Sequence, residues 1–594
     1  MAVVDLVKMD LLKERHQSAV EAVSSELEKD KAFQLVSTDD IPLLLKNSSA
    51  VWRTSIRASE QDWIIDIGLT KWFPDEVPLT CVHEWKKIFL KNPHVLEGGF
   101  ICTIPSSAAI DNSNPVGLVK YVLNQAKDIL GGSITNDFRE EFSCYWGRCI
   151  TSGAQDVLII EPIEKLKKFF PVVFCTGYVC VASSIGKINL WVSNCLDKTS
   201  DLSEKKLGVS IHLSTPLLPQ DYPSTIADLI SLAEANDPPA AEIIINHILT
   251  STKTALAILA QEEGEGKALG GIIFKGLYSS KLENGFRPGR VPLDLLRIRA
   301  TPLIQSTQVS RSKVIRVDHH WIHSRGGDGK DFSNKKVLLI GCGSLGGYVA
   351  HLLSRAGVGR LTVTDNDKLG WENLGRHILG ASSVGSLKAE ALAKKLKLEL
   401  PHLEIVGIPK DWRDIFESNP DFFKEHDLVV STVADWRCEG PLNALTRKIQ
   451  MPPVLLGWLE PYAVAGHCLI ISKNGGCFEC SSNEFGQFQH NVANFKDKTI
   501  SREPGGCAHY QHYGPAALMP VASMIASVVI ELLLNTSDQS FLNTWVSNAE
   551  HFKSVGASLA EAWVQDVGNG GYSRTFRKLW NRSDICHLCV PTKP

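Results

Sequence analysis

The sequence predicts an α/β protein built from several domains. Its 594 residues correspond to about four domains of ordinary size. Residues 337–340 form a continuous apolar run, VLLI, which is typical of a buried parallel strand. Gly341, Gly343 and Gly346 follow at a spacing that allows a tight turn into a helix. This strand, turn and helix predict a Rossmann-like domain in the C-terminal half.

The same segment predicts a nucleotide site. The helix after the glycines carries apolar residues at Leu345, Val349 and Leu353, and its N-terminal N–H groups would bind phosphates. A second strand, residues 361–364, ends at Asp365, where a carboxylate normally binds ribose hydroxyls. Glycines alone do not separate adenylation from hydride transfer, so an NAD(P)-dependent oxidoreductase is one alternative.

Asn373, Arg376 and Lys388, in NLGRHILG and GSLKAEAL, make the segment resemble the ThiF, MoeB and ubiquitin-activating superfamily. The resemblance implies that the Asn and Arg contact ATP phosphates and that the Lys stabilises charge as pyrophosphate leaves. Asp435 matches the family's magnesium-linked aspartate, although Trp436 replaces the Asn that usually follows it. The expected ATP and Mg²⁺ residues are Gly341, Gly343, Gly346, Asp365, Asp367, Asn373, Arg376, Lys388 and Asp435.

Cys507 is the candidate activating thiol. The run PGGCAHYQHYGPAAL resembles the segment of activating enzymes in which a cysteine on a crossover loop precedes a long buried helix. Flanking Arg502, His509 and His512 could lower the thiol pKa. An inert core thiol is the alternative. Residues 515–534 are strongly apolar, but their polar residues and the resemblance predict a buried helix and no membrane span.

Two CxxC pairs predict a metal site. The pairs are Cys477 with Cys480 and Cys586 with Cys589, and four thiolates are the usual tetrahedral zinc arrangement. Because four sulfurs leave no position open for water, the zinc would be structural. A redox disulfide is the alternative for either pair alone.

The N-terminal region resembles a ubiquitin-conjugating core. Trp63, Ile65 and Ile67 alternate as a strand does, Cys102 follows a Gly-Gly pair, and Pro115 opens an amphipathic helix. The family has His-Pro-Asn shortly before its catalytic cysteine, and here residues 92–94 read Asn-Pro-His. The resemblance implies a catalytic Cys102, with His94 or Asn92 stabilising the oxyanion. An ordinary buried cysteine is the alternative.

The middle of the chain offers no catalytic constellation. Residues 169–194 alternate in strand fashion, and residues 227–259 indicate a helix broken at Asp237, Pro238 and Pro239. Residues 285–305, rich in Arg and Pro, suggest an exposed connection. We therefore expect a ubiquitin-conjugating-like α+β domain at residues 1–135, a middle α/β linker domain at 136–300, and a ThiF-type adenylating domain with structural zinc at 301–594.

The composition is ordinary for a globular protein. Hydrophobic residues make up 44% and charged residues 21% of the chain. A formal net charge of -3 gives no broad attraction to nucleic acid or to a membrane, so neither is an expected partner. Fifteen cysteines without a secretory signal indicate a reducing cytoplasm.

The whole arrangement resembles the CD-NTase-associated activating and conjugating fusion proteins of bacterial CBASS antiphage operons. The resemblance implies a cytoplasmic, homodimeric, ligase-like enzyme that joins the C-terminus of a cGAS/DncV-like nucleotidyltransferase to an acceptor protein or lysine. It also implies an arginine acting across the dimer, for which Arg316 and Arg325 are candidates. Activation of a bacterial ubiquitin-like protein and a non-catalytic scaffold remain open alternatives.

Overall fold

The computed structural model describes residues 2–104, 108–132, 142–196, 205–215, 217–263, 266–287, 289–483, 487–495, 512–535 and 537–590. Candidate Cys507 lies outside the described residues. The chain divides into two compact units. The first comprises Met1–Val157, Lys167–Val179 and Lys206–Val314, and the second comprises Leu158–Leu166, Cys180–Lys205 and Ile315–Pro594.

The α-helices are α1 (Ala2–Leu27), α2 (Pro115–Leu130), α3 (Phe142–Arg148), α4 (Ile185–Leu196), α5 (Ile226–Asn236), α6 (Pro238–Thr250), α7 (Leu293–Ser306), α8 (His319–Gly326), α9 (Ser344–Arg355), α10 (Lys388–Glu399), α11 (Trp412–Ser418), α12 (Trp436–Lys448), α13 (Pro515–Leu534), α14 (Ala549–Val555) and α15 (Glu561–Val567).

The strands are β1 (Gln34–Leu35), β2 (Ser48–Ala58), β3 (Gln61–Thr70), β4 (Leu79–Val82), β5 (Phe100–Ile101), β6 (Asp156–Ile159), β7 (Phe169–Phe174), β8 (Tyr178–Val181), β9 (Lys206–His212), β10 (Thr254–Glu263), β11 (Gly266–Lys275), β12 (Ser310–Arg316), β13 (Lys336–Ile340), β14 (Arg360–Thr364), β15 (Glu404–Ile408), β16 (Leu428–Ser431), β17 (Val454–Leu459), β18 (Ala465–Ile471), β19 (Ala493–Asn494), β20 (Phe541–Val546), β21 (Ser558–Leu559) and β22 (Arg574–Leu579).

The first unit begins with an antiparallel meander in which β1 to β5 pair in chain order. Trp63, Ile65 and Ile67 in β3 are buried as predicted, and Asp66 between them is buried as well, paired with Arg53 at 2.7 Å. Helix α2 starts at Pro115, as predicted, and Asn114 caps it by accepting a hydrogen bond from the backbone of Gly117 at 2.9 Å. Its apolar face packs with α1 in one buried cluster.

Strands from the middle of the chain form a closed barrel with order β10-β11-β12-β6-β8-β7-β9. The predicted helix break is confirmed, since α5 ends at Asn236 and α6 starts at Pro238. The predicted exposed connection is wrong, because α7 occupies residues 293–306. Leu296, Ala300 and Ile304 recur every four residues and are buried, a helical pattern that the Arg and Pro content obscured.

The second unit contains an eight-stranded sheet with order β15-β14-β13-β16-β17-β18-β20-β22. The first five strands in this order, β15, β14, β13, β16 and β17, are parallel to one another. Each of the remaining strands, β18, β20 and β22, pairs antiparallel with the strand before it in the sheet. From β13 the chain goes to β14 and β15 on one side, whereas β16 and β17 lie on the other. The carboxyl ends of β13 and β16 therefore flank a topological switch point, where such sheets bind ligands.

Two helices of the second unit bear on the predictions. Residues 185–194 were expected to continue a strand pattern, but α4 occupies them, so that expectation is wrong. Among the described helices, α13 alone is long and apolar enough to cross a membrane. Leu518, Val521 and Ile525 are fully buried in the core beside the sheet, as predicted for a buried helix.

Candidate active site

The turn from β13 into α9 requires glycine at two positions, one for its backbone conformation and one for lack of space. Gly341 has a φ of +92°, which disfavours other residues, and its N–H donates to the carbonyl of Thr364 at 2.9 Å. A Cβ at Gly346 would lie 2.0 Å from the carbonyl oxygen of Gly341. The first turn of α9 therefore lies against the loop, and Gly343 stands at the N-cap of the helix.

A cavity of about 300 Å³ lies beside this loop, at the switch point of the sheet. It brings together four of the predicted ATP residues, namely Gly343, Asn373, Arg376 and Lys388. The other residues that line it are Ser344, Leu345, His377, Thr432, Val433, Ala434, Trp458, Leu459 and Tyr513. Two cationic side chains beside a helix N-terminus suit a polyanion such as a triphosphate.

Asp365 lies at the end of β14 and binds backbone rather than lining the cavity. Its carboxylate accepts from the N–H of Cys342 at 2.7 Å and from that of Asp367 at 2.8 Å. Burial raises the pKa of Asp365 above its usual value. Asp367 forms an ion pair with Lys388 at 3.0 Å. The two acids thus connect the glycine loop to the lysine of the cavity.

Asp435 caps the N-terminus of α12, directly after the cavity residues Val433 and Ala434. Its carboxylate accepts from the backbone of Arg437 at 2.9 Å and pairs with that residue's guanidinium at 2.7 Å. The guanidinium lowers the pKa of Asp435, so the carboxylate is ionised at neutral pH. It therefore stands beside the cavity-lining residues as an anion, and carboxylate oxygens are common Mg²⁺ ligands.

Sequence reasoning missed several residues that build the cavity. The Nε2 of His377 lies 2.7 Å from the carbonyl of Cys342, and its Nδ1 accepts from the N–H of Leu379 at 3.1 Å. This pattern assigns the neutral ring with its proton on Nε2. His377 stands inside the quoted NLGRHILG motif, so its position could have been noticed. Tyr513 follows the candidate loop of Cys507, and no local pattern marks it.

A buried carboxyl supports the loop that enters α12. Glu439 accepts from the hydroxyl of Ser431 at 2.6 Å and from the N–H of Ala434 at 3.3 Å. Burial raises the pKa of Glu439 to about 7. Ala434 has a φ of +56°, which an L-residue adopts at a cost. Glu439 therefore holds a strained segment of the cavity wall, a role that no local sequence pattern indicates.

The four predicted zinc ligands converge. The Sγ atoms of Cys477, Cys480, Cys586 and Cys589 all lie within 4.8 Å of one another. The closest separations are 3.4 Å from Cys480 to Cys589 and 3.6 Å from Cys477 to Cys586. Tetrahedral zinc with Zn–S bonds of the usual length requires sulfurs about 3.8 Å apart. The cluster therefore has the size of a four-thiolate zinc site.

Cys102 directly follows β5 and pairs with the Asn-Pro-His segment. Its N–H donates to the carbonyl of His94 at 2.9 Å. The turn between them needs Gly99, where a Cβ would lie 2.3 Å from the carbonyl oxygen of Val82. His94 has a φ of +65°, and its N–H donates to the hydroxyl of Tyr145 at 3.1 Å. The structure thus places His94 opposite the half-buried cysteine.

The side chain of Asn92 contacts the end of helix α2. Its amide nitrogen lies 3.4 Å from the carbonyl of Ile129 and 3.5 Å from that of Leu130, at the C-terminal end of α2. The carbonyl of Ile129 also accepts from the N–H of Gly132 at 3.2 Å, so the amide adds a further donor at the helix end. This side chain therefore contacts the helix end, which leaves His94 as the better placed candidate beside Cys102.

Arg316 and Arg325, which precede β13, are the candidates to act across a dimer. Arg316 pairs with Asp318 at 2.9 Å, and its guanidinium lies 4.8 Å from the ring centre of Trp321. It is therefore bound within its own chain. The side chain of Arg325 lies outside the described part of the structure.

Two family models match the chain. The ThiF family matches residues 322–561, and Prokaryotic E2 family B matches residues 46–154. Together with the fold, they confirm the predicted class, a conjugating-like N-terminal region and a ThiF-like C-terminal region in one α/β chain.

Two relatives are similar over most of the chain. The ATP-dependent ubiquitin transferase-like protein Cap2 of Pseudomonas aeruginosa is 26% identical over 67% of this chain and 72% of its own length. The Escherichia coli protein of that name is 28% identical over 82% and 87%. Among solved structures, E. coli MccB with MccA-N7isoASN is 18% identical, covering 44% of this chain and 68% of its own, with a TM-score of 0.30.

Proposed function

Because this chain is a fusion of a prokaryotic E2 domain and a ThiF domain of the Cap2 type, we propose that it adenylates the C-terminus of a protein and transfers it through two thioesters to an acceptor amine. The observation that carries the proposal is the cavity at the switch point, where Arg376, Lys388 and Asn373 meet the glycine loop. We assign residues 1–135 to conjugation, 136–300 to a linker and 301–594 to activation.

Adenylation would use ATP in that cavity. A carboxylate oxygen of the donor attacks the α-phosphorus, the bond to the β-phosphate oxygen breaks, and pyrophosphate leaves with the negative charge. Arg376 and Lys388 stabilise that charge, which is the main catalytic contribution in such transfers. Asp435 is the candidate ligand for Mg²⁺, which would further neutralise the phosphates when bound. Asp365 holds the glycine loop by accepting from the N–H of Cys342.

Two thiols would then carry the acyl group. The thiolate of Cys507 attacks the acyl carbonyl and AMP leaves, giving a thioester. The thiolate of Cys102 attacks that thioester and releases Cys507. An acceptor lysine amine attacks the second thioester, loses a proton and releases Cys102 as an isopeptide forms. Each step exchanges one acyl bond for another, so no single step carries the whole barrier.

His94 is the proposed oxyanion stabiliser at the last step. It pairs through its backbone with Cys102, whereas the amide of Asn92 contacts the end of α2. A polar side chain at this place can donate to the oxygen that becomes negative when the amine attacks.

The donor that we propose is a cGAS/DncV-like nucleotidyltransferase of an antiphage operon, on the strength of the whole-chain resemblance and the Cap2 name of the relatives. A bacterial ubiquitin-like protein is the alternative donor. The proposal places the reaction in the bacterial cytoplasm and in a homodimer, with Arg325 as the better candidate to act across it because Arg316 pairs with Asp318.

The structural Zn²⁺ would be held by Cys477, Cys480, Cys586 and Cys589, whose sulfur separations support the assignment. Bound there, the metal would tie the end of the chain to the segment after β18, and it takes no part in the chemistry.

ATP–pyrophosphate exchange tests the proposal. The intact nucleotidyltransferase should support exchange, and the same protein without its last residues should not, because the donor carboxylate would be displaced. Exchange with a ubiquitin-like protein instead would support the alternative donor. Nicotinamide binding without exchange would support an oxidoreductase, and no nucleotide turnover with any donor would support a scaffold.

A further inference from the structure

Tyr513 connects two parts of the nucleotide cavity that are far apart in sequence. Its hydroxyl shares a hydrogen bond of 2.8 Å with the hydroxyl of Ser344, the first residue of α9. Its ring centre lies 4.8 Å from the guanidinium carbon of Arg376. All three residues line the cavity that also contains Lys388 and Asn373. Neither Ser344 nor Arg376 lies within 130 residues of Tyr513, so the contact depends on the tertiary fold.

The ring is held by a rigid part of the protein. Tyr513 stands two residues before α13, whose N-cap is Gly514 and whose first residue is Pro515. Leu518 and Val521, in the first two turns of that helix, are fully buried. Tyr513 itself packs against the same core cluster. Its ring therefore packs against the buried core to which α13 contributes.

The type of contact matters for phosphate binding. A guanidinium has five N–H donors, and the π face of the Tyr513 ring attracts its charge without offering an acceptor oxygen. The ring can thus fix the position of Arg376 without competing with a phosphate for its donors. A carboxylate in the same place would compete. The hydroxyl meanwhile joins the ring to Ser344, at the helix end where phosphates bind.

We propose that Tyr513 is a positioning residue for nucleotide binding, which sets the place of Arg376 relative to the N-terminus of α9. The inference rests on the proposed adenylating function for its role in catalysis, but its effect on ATP binding can be measured without turnover. It also gives the segment before α13 a task beyond supporting the candidate Cys507.

The test measures ATP affinity by calorimetry on the full chain without a donor protein. Tyr513→Leu removes the ring and the hydroxyl and should weaken ATP binding about tenfold, as expected for a lost cation–π contact at a partly buried site. Tyr513→Phe keeps the ring and should lose much less. Ser344→Ala should match Tyr513→Phe, because both remove one hydrogen bond. Tyr121→Leu, an exposed tyrosine of α2, is the control.

A double variant separates positioning from a merely structural role. If Tyr513 acts through Arg376, the variant Tyr513→Leu with Arg376→Ala should bind ATP no more weakly than Arg376→Ala alone. Equal ATP affinity of Tyr513→Leu and wild type, or full additivity with Arg376→Ala, would overturn the proposal. Absence of pyrophosphate exchange in the wild type would instead contradict the proposed function, and these binding results would still stand.

Discussion

Lys388 and Asp367 form an ion pair at the edge of the cavity, with Nζ 3.0 Å from Oδ2. The lysine side chain is 12% exposed and the aspartate side chain 69% exposed. The N–H of Lys388 also donates to the carbonyl of Asp367 at 2.9 Å. The exposed carboxylate thus holds the half-buried ammonium beside the glycine loop, where an arriving triphosphate would compete for it.

Removal of this ammonium tests its role in catalysis. Lys388→Ala should lower the rate of pyrophosphate exchange by about 10²- to 10³-fold, because the developing charge loses one stabilising cation. Lys395→Ala is the matched control, since Lys395 is on the same helix but pairs with Glu399 at its surface. Exchange by Lys388→Ala at the wild-type rate would contradict the assignment.

The raised pKa of Glu439 predicts that the stability of the folded protein depends on pH. Burial raises its pKa to about 7, against 4.5 for the ordinary group, so the folded protein binds the proton more tightly than the unfolded chain. The stability that this provides is complete below pH 4.5 and is lost as pH rises through about 7. Melting temperatures between pH 5 and pH 8 should therefore fall more in wild type than in Glu439→Gln.

The matched control for this measurement is Glu425→Gln, a change at a surface glutamate, which should follow the wild-type curve. Parallel melting curves for wild type and Glu439→Gln would show that the carboxyl does not titrate in this range.

The cysteine cluster predicts one zinc ion per chain. Metal analysis of purified protein should find it, and Cys477→Ser or Cys586→Ser should lower the zinc content and loosen the C-terminal segment, since metal binding and local folding are linked. Cys195→Ser, a change at a half-buried cysteine outside the cluster, should keep the metal. Disulfides among the four cysteines, or protein without zinc, would refute the site.

The proposed role of His94 predicts how its replacement affects transfer from the Cys102 thioester. His94→Gly removes the side chain and suits a φ of +65°, so it should slow transfer to a lysine amine by about 10²-fold without straining the backbone. His94→Asn tolerates the same φ and restores a donor, so it should recover part of the rate. Asn92→Ala should chiefly affect stability. Wild-type discharge by His94→Gly would place the stabilising group elsewhere.

The sequence predicted those parts of the fold that depend on neighbours in the chain. The run at residues 337–340 gave β13, the glycines gave the turn into α9, and Pro115 gave the start of α2. Such patterns are local, so they are visible without a structure. The helix α7 was missed because its Arg and Pro residues suggested a connection, although its buried positions repeat every four residues.

The candidate site was predictable only where a motif carried it. Arg376 and Lys388 stand in recognisable segments, and the CxxC pairs have a metal-ligand spacing. Tyr513 contacts Ser344, which is 169 residues away in the sequence, and no property of either residue alone predicts the contact. The same holds for the amide of Asn92 at the end of α2. These contacts follow from packing between distant elements, which sequence patterns do not encode.

The order in which the two thiols are charged tests the central claim most directly. With ATP, Mg²⁺ and the donor protein, wild type should form an adduct that a reducing agent removes. Cys102→Ala should keep a thioester on Cys507 yet lose final conjugates, and Cys507→Ala should still exchange pyrophosphate but leave Cys102 uncharged. Cys144→Ala, a change at an exposed cysteine, should behave as wild type. Charging of Cys102 in the Cys507→Ala protein would contradict the account, because the adenylate would then react with Cys102 directly.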